Sequence, residues 1–163
     1  MPALIKDGAV IDNRWTRPVL AAQDPLPAGP VLVSLEYWNA NAAQITARAD
    51  SVGLLLQPDE DPAAIRGGLT DIPLIAIHFP AFTDGRGFSL ARLLRERFHY
   101  HGELRAVGAP IRDQLSYLVR VGFNAFELAE HYDPQAALAS LADFSDSYQA
   151  AADQPLPLFR RRG

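Results

Sequence analysis

The sequence predicts an α/β fold: a mainly parallel sheet of about five strands with helices on both faces, doubly wound or an incomplete β/α barrel, plus an N-terminal β-hairpin. Three observations carry this. Residues 31–36 are a β-branched and apolar run, and residues 52–57 and 74–79 are mainly apolar runs, the pattern of strands buried on both faces. Between them and after them lie segments with helical start and stop signals, and apolar strands alternating with helices build parallel sheets through crossover units. A chain of 163 residues is too short for a complete eight-stranded barrel, which needs roughly 200 residues or more.

Each element has its own justification. Leu4-Ile5-Lys6 and Ala9-Val10-Ile11 flank Asp7-Gly8, a pair suited to a hairpin turn in which both central residues take positive φ. Two strands alone are marginal, so the hairpin must dock on something larger or pair with a second chain. Residues 21–30, AAQDPLPAGP, read as a proline-rich linker. Residues 41–48 form a short helix, with Ala43 and Ile45 available for packing. Asp61-Pro62 starts a helix carrying Ile65 and Leu69 and interrupted by Gly67-Gly68, with Asp as N-cap and Pro at the first helical position. Residues 88–98 form an arginine-rich helix with Leu90, Leu93, Leu94 and Phe98 on one face, and residues 103–107 a fourth strand. Pro110 opens a helix whose Ile111, Leu115 and Leu118 share a face and which Gly122 ends. Residues 123–128 are a fifth strand, and Asp133-Pro134 starts a last helix running to about residue 151. The expected organisation is hairpin and linker (1–30), α/β domain (31–152) and an extended tail (153–163).

Composition removes several function classes. The absence of cysteine excludes disulfides, thiolate nucleophiles, an iron–sulfur cluster of the chain's own and cysteine-ligated zinc, and makes a cytoplasmic location the default. A net charge of -4 argues against nucleic-acid binding. No apolar run approaches membrane-spanning length, and the first residues lack a signal-peptide core.

In either architecture ligands bind at the carboxyl ends of the strands. Glu36, Tyr37, Gln57, Asp59, His78, residues 83–87, Gly108 and Glu127 belong there. Thr83-Asp84-Gly85-Arg86-Gly87 joins a strand to a helix. Gly85 and Gly87 would let the backbone approach a ligand, the helix start favours an anion, and Arg86 offers a planar fork for a carboxylate, phosphate, sulfite or sulfate. An equally good reading has Thr83 or Asp84 capping the helix and the glycines making the turn. The turn lacks the Gly-Lys-Ser/Thr of a Walker loop and the third glycine of a dinucleotide fingerprint. Arg112 and Asp113 follow Gly108 at the same end of the sheet and join the candidates. Candidate acid–base groups are His78, Asp84, Asp113 and Glu127, with a buried, hydrogen-bonded histidine the plainer reading of His78. Arg92, Arg95 and Arg97 form either a solvated helix face or a docking face for an acidic partner. Arg105, a charge inside a strand, must find a partner or reach an edge. His99 and His101 are too isolated to argue for a metal, and none is expected.

The segments FTDGRGFSLARLLRERF, GELRAVG and IRDQLSYLVRVGFNAFEL, with the opening IKDGAVIDNRW, resemble the bacterial family known as domain of unknown function 934. The resemblance covers nearly the whole chain and is most specific over residues 82–128. It carries over onto Thr83, Asp84, Gly85, Arg86, Gly87, Arg95, Gly102, Arg105, Gly108, Arg112, Asp113, Gln114, Gly122 and Glu127, without assigning them roles. The family is described generically as an oxidoreductase and is commonly encoded beside the haem-containing sulfite/nitrite reductase of assimilatory sulfur metabolism. The resemblance therefore implies an accessory role in sulfite reduction and leaves a flavin or nicotinamide cofactor open. The expectation is an accessory protein that binds a small oxyanion or phosphate-bearing ligand through Thr83, Gly85, Arg86, Gly87 and Arg112, and presents Arg92, Arg95 and Arg97 to a sulfite/nitrite reductase. The alternatives are a stand-alone enzyme acting on a small anionic substrate and a non-catalytic dimeric scaffold whose N-terminal hairpin exchanges between subunits.

Overall fold

The strands are β1 (Ala3–Lys6), β2 (Ala9–Ile11), β3 (Val31–Ser34), β4 (Val52–Leu56), β5 (Leu74–Phe79), β6 (Glu103–Gly108) and β7 (Ala125–Leu128), and the helices α1 (Leu35–Ala40), α2 (Ala42–Thr46), α3 (Arg86–Glu96), α4 (Leu115–Val121) and α5 (Pro134–Ala142). They come from a computed structural model that describes residues 2–48, 51–81, 83–108 and 114–142. All seven strands form one sheet in the order β2-β1-β7-β6-β5-β4-β3.

The five strands from β3 to β7 pair in parallel with their sequence neighbours, and β1 pairs antiparallel with both β7 and β2. The expected hairpin therefore widens the sheet to seven strands, with one antiparallel edge. Its turn is as expected, with Asp7 and Gly8 at φ 49° and 79°.

The strand order runs without reversal from β3 to β7. Right-handed crossovers between consecutive neighbours put every connection on the same side. The buried residues agree: Trp38, Ile45, Leu90, Leu94, Leu118 and Ala137, drawn from all five helices, join one cluster with Val33, Leu54, Ile77, Leu104 and Phe126 of the strands. Helices on both faces, and with them the doubly wound alternative, do not describe this sheet among the described residues.

The opposite face carries Leu32, Leu74, Ala76 and Val107, a smaller cluster against which Trp15 and Leu55 pack. It is crossed by the segment that leaves β2. Thr16 bridges Val31 of β3, with the Leu32 N–H donating to the Thr16 carbonyl at 2.8 Å. Five residues thus connect Ile11 at one edge of the sheet to the far side of the other edge. Five extended residues reach at most about 18 Å, whereas six strand spacings would hold the edges of a flat sheet about 29 Å apart. The sheet is therefore curled around this strap, with the helices outside.

Local starts and stops explain most boundaries. The Ser34 hydroxyl accepts the Tyr37 N–H, so α1 begins where the first parallel strand was expected to continue, and Glu36 lies exposed on the helix. Asp61 accepts the Ala63 N–H, but only a 3-10 turn follows (Pro62–Ala64), because Gly67 and Gly68 adopt φ of 85° and 80° just beyond it. The Asp133 carboxylate accepts from the Gln135 and Ala136 N–H groups and starts α5. Gly122 ends α4 at φ 115°.

Candidate functional site

At the carboxyl ends of β4 and β5, two chain segments bring Gln57, Asp59, His78, Asp84 and Arg86 to one rim of the sheet. His78 is half-buried, and its Nδ1 lies 3.0 Å from Gln57 Oε1. Asp84 receives the Arg86 fork at 3.0 Å from Nε and 2.7 Å from Nη2, and the Arg86 N–H at 3.1 Å. The Arg86 side chain is exposed, whereas that of Asp84 is only 14% exposed. The Arg86 hydrogen bonds hold the Asp84 carboxyl below its ordinary value, and Asp84, with a smaller contribution from the charge of Asp59, raises Arg86. Asp84 uses two of the five guanidinium N–H donors and fixes the plane of the fork, leaving three for another acceptor.

The glycines of the turn divide their work. Gly85 sits at φ -82°, and a Cβ there would meet only the Phe88 ring, at 4.0 Å, so a ligand could approach its backbone. Gly87 has a packing role: a Cβ there would lie 2.6 Å from the Phe79 ring, so its bare Cα lets α3 seat on β5. Thr83 is exposed. Arg112 and Asp113 lie outside the described residues.

The three candidate docking arginines separate. Arg95 turns inward, donating from Nε to the Gly122 carbonyl at 2.9 Å and from Nη1 to those of Tyr100 and Gly102 at 2.7 and 2.9 Å. Burial lowers its pKa from the usual arginine value. It ties α3 to the end of α4 and the start of β6, and the docking expectation fails for it because its donors are committed to carbonyls. Arg92 pairs with Glu96 one turn on at 3.2 Å, and Arg97 is exposed.

Glu127 and Arg105 belong to a polar layer beneath the strap. Arg105 is 1% exposed and lies 2.8 Å (Nε) and 2.6 Å (Nη2) from Glu103 Oε1, while Lys6 takes the other Glu103 oxygen at 2.8 Å. The Arg105 Nη1 donates to Asn13 Oδ1 at 3.0 Å. Asn13 also donates to Glu127 at 3.3 Å, and Arg17 closes on the other Glu127 oxygen at 2.6 Å. Glu127 is 5% exposed, so the strap holds this acid–base candidate rather than leaving it at the rim. Lys6, Asn13 and Arg17 were not singled out from sequence. The signal was present: Asn13, Trp15 and Arg17 alternate, the two-residue period of a segment with one face inward.

The profile of the family described as "Bacterial protein of unknown function (DUF934)" matches residues 53–159. The chain belongs to the DUF934 family. The match takes in β4 to α5, and so Gln57, His78, Asp84, Arg86, Arg105 and Glu127 of this DUF934 protein, whereas Asn13 and Arg17 precede it. No curated protein and no solved structure matches the chain. Among the described residues no helix is long and apolar enough to cross a membrane.

Proposed function

We propose that this DUF934 protein is an accessory protein of assimilatory sulfite/nitrite reduction that holds a small oxyanion or a phosphate-bearing ligand at the carboxyl ends of β4 and β5. The observation that carries the binding part is the Arg86 fork, fixed by Asp84 with three N–H donors left over, on the same rim as His78 and Gln57. A preset, solvent-facing guanidinium suits an oxyanion, because its plane is already oriented for paired N–H···O bonds. The sulfite assignment rests on the family resemblance, and the partner is a sulfite/nitrite reductase. Arg92 and Arg97 supply the docking charge.

Backbone amide shifts recorded on adding sulfite or inorganic phosphate test the site. The expected changes centre on Gln57, His78 and residues 83–88 and are lost in Arg86→Ala. Changes centred on Arg17 or Arg48 instead would remove the assignment. For docking, co-elution with the reductase should weaken on charge reversal of Arg92 and Arg97, and unchanged co-elution would remove that part.

A further inference from the structure

The strap joins the two edges of the curled sheet. Thr16 bridges Val31 of β3 in parallel, so the seven strands close into a ring. Paired residues lead round the sheet from Ser34 through Leu55, Ala76, Arg105, Ala125 and Lys6 to Ala9. The Thr16 bridge puts Ala9 about ten residues short of the position level with Ser34. A stagger of about ten residues over seven strands tilts them by about 45° to the ring axis, and inward side chains then stack in layers across it. Arg17, Ser34, Gln57 and His78 form the layer at the carboxyl mouth. Trp15, Leu32, Leu55, Ala76 and Val107 form the next, and Asn13, Arg105 and Glu127 the third. Observed contacts reproduce the lower two: Trp15 and Leu55 pack with Leu32, Ala76 and Val107, and Asn13 bonds both Arg105 and Glu127. In the mouth layer Gln57 meets His78 at 3.0 Å, and Arg17 reaches down to Glu127 at 2.6 Å.

The mouth layer leaves its floor uncovered among the described residues. Leu55 and Trp15 belong to the layer beneath and stay partly exposed, whereas Leu32, Ala76 and Val107 beside them are at most 2% exposed. Ser34 and Gln57 are exposed above them, and His78 is half-buried. An apolar floor ringed by a few polar groups is the make-up of a small-molecule site. Depth sets the charge it presents. The Arg17 side chain is 36% exposed and that of Glu127 only 5%, so the guanidinium faces the opening. Glu127 takes one N–H from Nη2 and fixes the fork, and among the described residues the other guanidinium N–H groups meet no acceptor.

We infer that the carboxyl mouth of the ring binds a small organic acid, its carboxylate on the Arg17 fork, its apolar body over Leu55 and Trp15, and Ser34, Gln57 and His78 as the polar rim. A guanidinium held in plane by a buried carboxylate suits a second carboxylate on its free edge. The site is separate from Arg86, which opens α3 on the outside of the ring.

Benzoate is the probe. Benzamide, its neutral isostere, controls for charge, and inorganic phosphate controls for the apolar body. Backbone amide and indole N–H shifts of the full chain locate binding and give Kd values. Benzoate should move the Trp15 indole and the amides of Ser34, Gln57 and His78, and should bind at least about tenfold more tightly than either control. Arg17→Gln should abolish the preference over benzamide. That variant leaves Glu127 buried without its cation, so the double variant Arg17→Gln/Glu127→Gln, which keeps the layer neutral, is measured beside it and should show the same loss. Arg86→Ala should leave benzoate binding within about twofold. Benzoate shifts centred away from the mouth, no benzoate binding, or a preference kept in the double variant would overturn the inference. Loss of benzoate binding in Arg86→Ala would overturn it too, and would give the organic acid to the Arg86 site. A phosphate response lost in Arg86→Ala, beside a benzoate response that survives it, would support two separate sites.

Discussion

Replacing Arg105 by methionine is the sharpest test of the fold as described. The guanidinium is 1% exposed and holds Glu103, whose side chain is 9% exposed. Truncation leaves that carboxylate with Lys6 alone, which is 35% exposed and at the edge of the layer. Breaking a buried pair by removing one partner costs about 3–5 kcal/mol. The surviving Lys6 contact and the apolar bulk of methionine place the expected loss near the lower end, about 3 kcal/mol. For a domain of this size that is a fall in Tm of roughly 6–12 °C. Urea titration at pH 7 measures the loss directly. The same substitution in an Asn13→Ala background should cost about 1 kcal/mol less, because Asn13 Oδ1 has then already been removed from Arg105. A loss below about 1 kcal/mol, the range of a solvated ion pair, or strict additivity with Asn13→Ala would refute the reading of Arg105 and Glu103 as a buried pair coupled to the strap through Asn13.

Two further predictions address the seating of α3 on β5 and the opposite, amino-terminal end of the sheet. Gly87→Ala should destabilise by about 1–3 kcal/mol through overpacking against the Phe79 ring, read from the same titration, and the loss should shrink when Phe79 is first replaced by leucine. The Tyr100 hydroxyl donates to the Ile72 carbonyl at 2.9 Å, and burial pushes its pKa well above the ordinary 10.0. The unfolded chain therefore releases this proton first. Between pH 10.0 and the raised folded value the native state holds more protons, so stability falls as pH rises through that window. Tyr100→Phe should flatten that alkaline slope in melting curves taken above pH 10.

Much of the fold was legible because strand and helix signals in this chain are local. The apolar run 74–79 is β5 to the residue, Asp7-Gly8 makes its turn, and Gly122 stops α4. The misreadings came from relations between distant segments. Period-two and apolar-run arguments locate strands but are silent on their order, so they could not separate a doubly wound sheet from one whose strands follow in sequence. Nor could they reveal that the hairpin extends the sheet through pairing of Leu4 with Glu127. At the rim, Arg86 was recognisable from its strand–turn–helix context. The pairing of Gln57 with His78 links a residue just past β4 to one 21 positions on in β5, and only the register of β4 on β5 brings them together. Arg95 looked like one of a row of surface charges. Three carbonyls at the ends of other elements draw it inward, an arrangement that helical periodicity does not encode.

The central claim is an oxyanion site organised by Arg86, and thermal melting of wild type and Arg86→Ala with and without sulfite and inorganic phosphate tests it most directly. A ligand at about a hundred times its Kd stabilises the fold by about 2.7 kcal/mol, a rise in Tm of roughly 5–11 °C for a domain of this size. The account predicts such a rise for the wild type and its loss in Arg86→Ala. A rise of equal size in both proteins, or none in either, would contradict it.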